Sequence, residues 1–238
     1  MMFWLRKLVL GKNKFKLIFE VLSKKSFRYF REAIFLIKHP YNVDLLNIRP
    51  TQEPLLVDIG AFEGNFAELF SMKHKNSKMV LVEPIAEFAE ILRKKFPKET
   101  TKVIQHALTR DGGSVVLYVS DANTSTAKQA NAKKIEVDAL SVVEFAQRVE
   151  GQVISLFQIN CEGAEYELIP EIVKTGLINQ IETLNIQFHY LSLRNAIRHR
   201  KIRTQLSQTH RLLWSTYFIW EQWERIPGSH NSIQEVGQ

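Results

Sequence analysis

A doubly wound, mostly parallel α/β sheet of the Rossmann-like kind, with an antiparallel last strand and a basic helical extension at the N-terminus, is the fold that three observations predict. Apolar runs of strand length alternate along the chain with amphipathic runs of helical length, the pattern of strand–helix–strand units. The first apolar run, Leu55 to Ile59, meets Gly60 and then Gly64 ahead of an amphipathic stretch, which reads as strand, tight turn and helix start. The second apolar run, Lys78 to Val82, ends at Glu83 and Pro84, where a second strand of such a sheet should end.

With 238 residues, 45% of them apolar, the chain can bury one sizeable core, so one domain with an appendage is expected. The single cysteine, Cys161, has no partner for an internal disulfide, and a reducing cytoplasm follows as the expected compartment. No apolar run approaches the roughly twenty residues of a membrane span. The net charge of +7 is unevenly placed: residues 1–50 hold seven Lys and four Arg against Glu20, Glu32 and Asp44, which leaves the remainder close to neutral. A domain that tracks nucleic acid would carry that charge itself, so nucleic acid is not the expected partner. In residues 1–50 the Lys and Arg are interleaved with Phe3, Trp4, Phe15, Phe19, Phe27, Tyr29, Phe30 and Phe35. This reads as amphipathic helix that packs on the domain or a second subunit, or rests on an anionic membrane at its inner face, packing being the commoner fate. Prolines at 40, 50 and 54 mark the boundary, giving an extension at 1–50 and a domain at 51–238.

Within the domain the elements follow in order. Helices are expected over Phe66 to His74 and Ile85 to Phe96, and a third strand over Lys102 to Ala107. After a turn at Asp111 to Gly113, Ser114 to Val119 reads as a strand of an added hairpin beside the sheet. Ser120 to Lys134 reads as loop, Lys134 to Asp138 as strand, and Leu140 to Val149 as a helix with Asp138 as N-cap. The fourth core strand is placed at Val153 to Ile159, then a helix over Ala164 to Thr175 that contains Pro170 and stops at Gly176. A long strand over Gln180 to His189, a basic surface helix within 191–211, and final strands around Trp214, Tyr217, Phe218, Trp220 and Trp223 complete the domain, the tail after Pro227 fraying.

Ligands of open α/β sheets lie at the carboxyl ends of the strands. Those ends nominate Asp58, Gly60, Ala61, Phe62 and Gly64; Glu83 and Pro84; His106 and Ala107; Asn160, Cys161 and Glu162; and His189 with Tyr190. Gly60 permits the turn, Gly64 a close approach, and the N–H groups of the helix start would lie free beside the ligand. A carboxylate at the tip of the second strand can accept from both hydroxyls of a ribose and disfavours a phosphorylated one. Asp58 and Glu83 together therefore fit an adenosine ligand without phosphates, S-adenosylmethionine. No metal site is expected.

The segments VDIGAFEGNF from Val57, LVEP from Leu81 and INCEGAEYELI from Ile159 resemble the FkbM-type family of S-adenosylmethionine-dependent methyltransferases, over about Leu55 to Tyr190. The resemblance implies a methyltransferase sheet and an O-methyltransferase acting on a small-molecule or carbohydrate hydroxyl, such as a sugar of a surface glycan. Two positions depart from the family. Asn160 stands where Asp is usual and cannot act as a base, and Phe62 stands where Asn is frequent.

Methyl transfer to an alcohol needs the acceptor aligned and its proton removed. His189 is the leading base, as a side chain that titrates near neutrality at a strand end, and Glu162 is the next. Glu165 reads as a helix-terminus acid. Trp214, Trp220 and Trp223 could stack on sugar rings, although core packing is the expected role of at least two. Two other readings stand beside this one. An RNA or DNA methyltransferase is opposed by the run Asn160-Cys-Glu-Gly, which lacks the prolines of base-methylating sites, and a non-catalytic scaffold is kept open by Asn160 and the basic N-terminus.

Overall fold

The computed structural model describes residues 45–120, 123–125, 133–189, 193–216 and 219–229. The expected helical extension up to residue 44, most of the loop after Ser120, Tyr190, Tyr217, Phe218 and the tail from residue 230 lie outside them. The chain divides into two compact units after Asn47, and the fold is that of the second. Its elements are β1 (Leu55–Ile59), α1 (Asn65–Lys73), β2 (Lys78–Val82), α2 (Ala86–Lys95), β3 (Thr101–Ile104), β4 (Ala107–Thr109), β5 (Asp111–Ser120), β6 (Asn123–Ser125), β7 (Lys133–Ser141), α3 (Val142–Arg148), β8 (Leu156–Ile159), α4 (Glu165–Lys174), a 3₁₀ turn (Leu177–Gln180), β9 (Thr183–Ile186), α5 (Leu193–Leu206), β10 (His210–Thr216) and β11 (Trp220–Arg225).

The main sheet has the order β10-β11-β9-β8-β1-β2-β3. Strands β3, β2, β1, β8 and β9 are parallel, and the last strand, β11, runs antiparallel to both of its neighbours. The order reverses between β1 and β8, and a ligand crevice belongs at their carboxyl ends. Alternation along the strands sends Val57, Ile59, Val80, Val82, Phe157, Ile159, Leu184 and Ile186 to one face, where they join a buried core with Phe145 of α3, Ile169 and Ile172 of α4, and Ile202 and Leu206 of α5. Leu56, Leu81 and Leu156, fully buried, point to the other face. That second face also carries a polar row in register: Asp58 beside Gln158, Gln158 beside Asn185, Asn185 beside Gln222.

Several sequence expectations are corrected. The third strand ends at Ile104, so His106 lies between strands and Ala107 opens β4 of a second sheet. That sheet, ordered β4-β7-β5-β6, is larger than the single hairpin expected, because β4 returns to pair parallel with β7. Asp138 is not a helix cap: β7 continues to Ser141, whose hydroxyl accepts from the Glu144 N–H while the Glu144 carboxylate accepts from the Ser141 N–H, a full capping box. The long strand over Gln180 to His189 is only Thr183–Ile186 within β9, preceded by the 3₁₀ turn and followed by irregular Gln187 to His189. The fourth core strand is likewise shorter, with Ile154 contributing one bridge to Ile181. Gly176 does stop α4, in a left-handed conformation.

Gly64 makes a close approach to protein. It precedes α1 with φ 73°, and a Cβ there would lie 2.6 Å from Leu92 Cδ2 and 2.7 Å from Phe96 Cε2, so this glycine lets α1 close onto α2. Gly151 has a similar φ of 74° but nothing within 4 Å. Gly151→Ala should therefore lose only the backbone penalty, about 1 kcal/mol. Gly64→Ala should lose a further 1–3 kcal/mol, roughly, for displaced packing, the two being compared by urea titration.

Candidate active site

The turn after β1 is fastened to the tip of β2. The N–H groups of Gly60 and Ala61 both donate to the Val82 carbonyl, at 2.9 and 3.1 Å. The Glu83 carboxylate accepts the Phe62 N–H at one oxygen and the Ile85 N–H at the other, each at 2.9 Å. Half-buried Pro84 has no N–H, so Ile85 supplies that second bond. The N–H groups of Gly60, Ala61 and Phe62 thus close the turn onto β2. Each Glu83 oxygen keeps a lone pair for a further donor.

Gly60 joins the turn to β8. A Cβ at this residue, with φ 83°, would lie 2.4 Å from the Asn160 carbonyl oxygen, so only glycine allows the two chain segments to meet. Phe62 adopts φ 52° without being glycine, stands 44% exposed, and sets its ring 4.2 Å from that of Phe88.

Asp58 and Glu83 are 1% and 5% exposed, and burial pushes both carboxyls up to about 7. The Gln158 amide, donating to Asp58 Oδ1 at 3.1 Å, and the two backbone N–H groups on Glu83 act in the opposite direction. Nearby, Asp58 Oδ2, Asn160 Oδ1 and Gln187 Oε1 are buried oxygen atoms with no donor, and His106 Nδ1 also lacks a partner. An edge this rich in hydrogen-bond acceptors calls for a ligand that brings donors and positive charge. The ribose hydroxyls, ammonium and sulfonium of S-adenosylmethionine meet that description.

A second cluster begins one residue beyond Asn160. Cys161 Sγ faces the Ile59 carbonyl at 3.4 Å, and burial together with Glu165, Asp58 and Glu83 raises its thiol well above the usual range, keeping it neutral. Glu162 adopts φ 46° and is half-buried. Glu165, the first residue of α4, is fully buried and accepts the Gly163 N–H at 2.7 Å and the His189 N–H at 2.8 Å. The His189 ring lies between the two acids, Nδ1 3.2 Å from Glu165 Oε1 and Nε2 3.4 Å from Glu162 Oε1, and Tyr166 donates its hydroxyl to the His189 carbonyl at 2.9 Å. Burial disfavours the imidazolium, but Glu162 and Glu165 outweigh it and raise the His189 pKa to about 10. The two acids thereby hold His189 above the ordinary imidazole range expected of it and favour the charged ring near neutrality. Glu165 is more than a helix-terminus acid, since it fixes the histidine.

The strand ends thus bring together Asp58, Gly60, Ala61, Phe62, Glu83 and Asn160 on one side and Glu162, Glu165 and His189 on the other, joined by Cys161. The sequence reading missed Gln158 and Gln187, whose signal was a polar side chain inside or just after an apolar strand run. Of the three tryptophans considered, Trp220 opens β11 at the carboxyl end of β9 but is buried, as is Trp223, and half-buried Trp214 donates to Gln222 at 3.0 Å. Among the described residues no group of His, Cys, Asp and Glu could hold a metal ion, and no helix is long and apolar enough to cross a membrane.

A parallel sheet with an antiparallel last strand, a glycine turn after β1 and a carboxylate at the tip of β2 define a Rossmann-like methyltransferase. The chain belongs to the FkbM family: the methyltransferase FkbM domain matches residues 58–215, and S-adenosylmethionine is its methyl donor. No curated protein matches the sequence. Solved structures of similar fold include precorrin-6y C5,15-methyltransferase from Geobacter metallireducens (11% identity, 76% of this chain and 80% of that one, TM-score 0.41). TrmK of M. capricolum, in complex with S-adenosyl-homocysteine, is similar over 80% of this chain and 69% of that one (11% identity, TM-score 0.43). The Methanococcus jannaschii fibrillarin pre-rRNA processing protein is similar over 75% and 70% (8% identity, TM-score 0.44).

Two expectations follow. Glu83→Ala removes acceptors for charge-assisted hydrogen bonds worth about 1.5–3 kcal/mol, so calorimetry should find S-adenosylmethionine bound roughly ten- to a hundredfold more weakly. Because the folded His189 pKa lies above its ordinary 6.5, its stabilisation is complete below that pH and is lost as the pH rises toward about 10. The melting-temperature advantage of the wild type over His189→Gln should therefore shrink between pH 7 and pH 10.

Proposed function

We propose that this methyltransferase acts on a hydroxyl of a small-molecule or carbohydrate acceptor, with Glu162 receiving the acceptor's proton. The observation that carries this reading is the array Glu162–His189–Glu165 at the carboxyl edge of β8 and β9, with distances of 3.4 and 3.2 Å. An alcohol must lose its proton as its oxygen gains a methyl group, so a hydroxyl acceptor needs a base at hand. His189 is held by Glu165 with its pKa raised, which favours the charged ring and leaves the base role to Glu162. As an imidazolium 3.4 Å from the Glu162 carboxylate, its Nε2 without a hydrogen-bond partner, it offsets that charge. Glu162 is the only one of the three that reaches solvent appreciably, its side chain 25% exposed, and it can meet an acceptor entering from outside.

In this reading Glu83 accepts from the ribose, and Asp58 and Asn160 face the amino-acid end of S-adenosylmethionine with Gly60, Ala61, Phe62 and Gly64 shaping the turn. Pro84, His106 and Ala107 border the adenine. The cofactor supplies an electrophilic methyl on a sulfonium. The chain's residues supply alignment, a contribution of about 7–11 kcal/mol in well-oriented reactions. Cys161, kept neutral, is no nucleophile, which speaks against carbon methylation of a base. Residues 1–50 serve as an accessory element apart from this chemistry, suited to an anionic membrane or a second subunit.

Transfer of labelled methyl into fractionated cell extract tests the acceptor class. The label should enter small molecules or glycans, and its appearance in RNA or DNA would overturn the reading. Glu162→Gln should lower turnover by roughly 10²–10⁴-fold while S-adenosylmethionine affinity stays within about twofold. Near-wild-type turnover would remove Glu162 from the role of base.

A further inference from the structure

We infer that Gln158 is a positioning residue for methyl-donor binding: its side-chain amide holds Asp58 as an oriented carboxylate with one oxygen presented to the ligand. The inference is independent of the acceptor. Gln158 stands on β8 in direct register with Asp58 on β1, and its Nε2 donates to Asp58 Oδ1 at 3.1 Å. Both side chains are buried, 4% and 1% exposed. With Oδ1 engaged, Oδ2 is the oxygen left without a donor, so the hydrogen bond decides which edge of the carboxylate is offered.

The choice of glutamine at this place is otherwise hard to account for. Leu156, two residues earlier on the same face, is fully buried and apolar, and a leucine or methionine at 158 would continue that packing. Gln158 instead leaves its own Oε1 buried and unpartnered, which destabilises the fold. Further along the row Gln222 donates to Asn185 at 3.1 Å and accepts from Trp214, so an amide can be satisfied at both ends in this sheet. At Gln158 only the Asp58 end is satisfied. The feature that an apolar residue would lack is the donor to Asp58.

That donor also opposes the protonation of Asp58 that burial favours. The other titratable groups facing Asp58 are Glu83, which raises it, and the neutral Cys161 thiol. A carboxylate that must be ionised to attract a sulfonium and an ammonium gives affinity that rises as the pH passes about 7. Removing the amide moves the midpoint of that rise upward. A simple packing defect would weaken binding equally at every pH.

The test is calorimetric titration of S-adenosylmethionine into the full chain, for the wild type, Gln158→Met and Gln158→Glu, from pH 6 to 8.5, with thermal melts alongside. Gln158→Met should bind about tenfold more weakly at pH 7, the gap narrowing to less than about threefold at pH 8.5 as Asp58 ionises unaided. Gln158→Glu, which places a second acid against Asp58 in the same shape, should show a midpoint higher still. An equal loss across the whole range, or affinity unchanged in the variants, would overturn the inference. If Gln158→Met fails to fold, a wild-type pH profile in Gln158→Glu would overturn it alone.

Discussion

Much of the active edge depends on a single buried carboxylate, that of Glu165. The ladder between β8 and β9 ends at Ile186, and beyond it the chain has no strand partner to hold Phe188 and His189 in place. The first turn of α4 does so instead. Glu165 takes the His189 N–H and ring, Tyr166 takes its carbonyl, and the Tyr166 ring lies 5.7 Å from that of Phe188. The same carboxylate accepts the Gly163 N–H and thereby sets the turn that aims Glu162. One acid thus orders two segments 24 residues apart, and removing either member of such a buried pair leaves an uncompensated charge that destabilises by about 3–5 kcal/mol.

The cofactor side has the opposite character. Asp58 and Glu83 are buried together with no cation from the described residues among the groups acting on them, and both carboxyls are raised. Their folded values lie above the unfolded ones, so the stability they contribute is complete below about pH 4 and is lost as the pH rises through about 7. Near neutrality the ligand-free domain bears this repulsion, and a cationic ligand that binds only the folded state relieves it.

How much of this was legible in the sequence depended on how local each feature was. The strand–turn–helix at Val57 to Phe66 and the acid at Glu83 are local signals, and the structure has them where periodicity put them. The capping box at Ser141 and Glu144 was equally local, in the spacing S-x-x-E, but Asp138 at the end of a β-rich run competed for the same role. The second sheet was not legible because β4 pairs with β7 across some thirty residues, a choice that side-chain pattern does not encode. The charge of His189 was not legible either. An isolated histidine reads as a neutral base, and only the fold brings Glu162 and Glu165 to its two nitrogens. Gln158 was passed over because Leu156 to Ile159 reads as a plain apolar strand with one exception, and the exception proved to face Asp58.

Phe62 and Glu162 share a property that bears on how this enzyme could change. Both adopt the left-handed backbone conformation that favours glycine, one in each loop that frames the reaction edge. Each holds about 1–3 kcal/mol of strain that the surrounding bonds maintain. A library selected only for thermal endurance would therefore enrich glycine or asparagine at Phe62, whereas at Glu162 the lost attraction to His189 opposes that gain. It would erase, without any clash or cavity to give warning, the ring that packs on Phe88. Improvement of this scaffold for a new acceptor has to hold these two loops fixed and seek its margin elsewhere, in the second sheet and the outer helices.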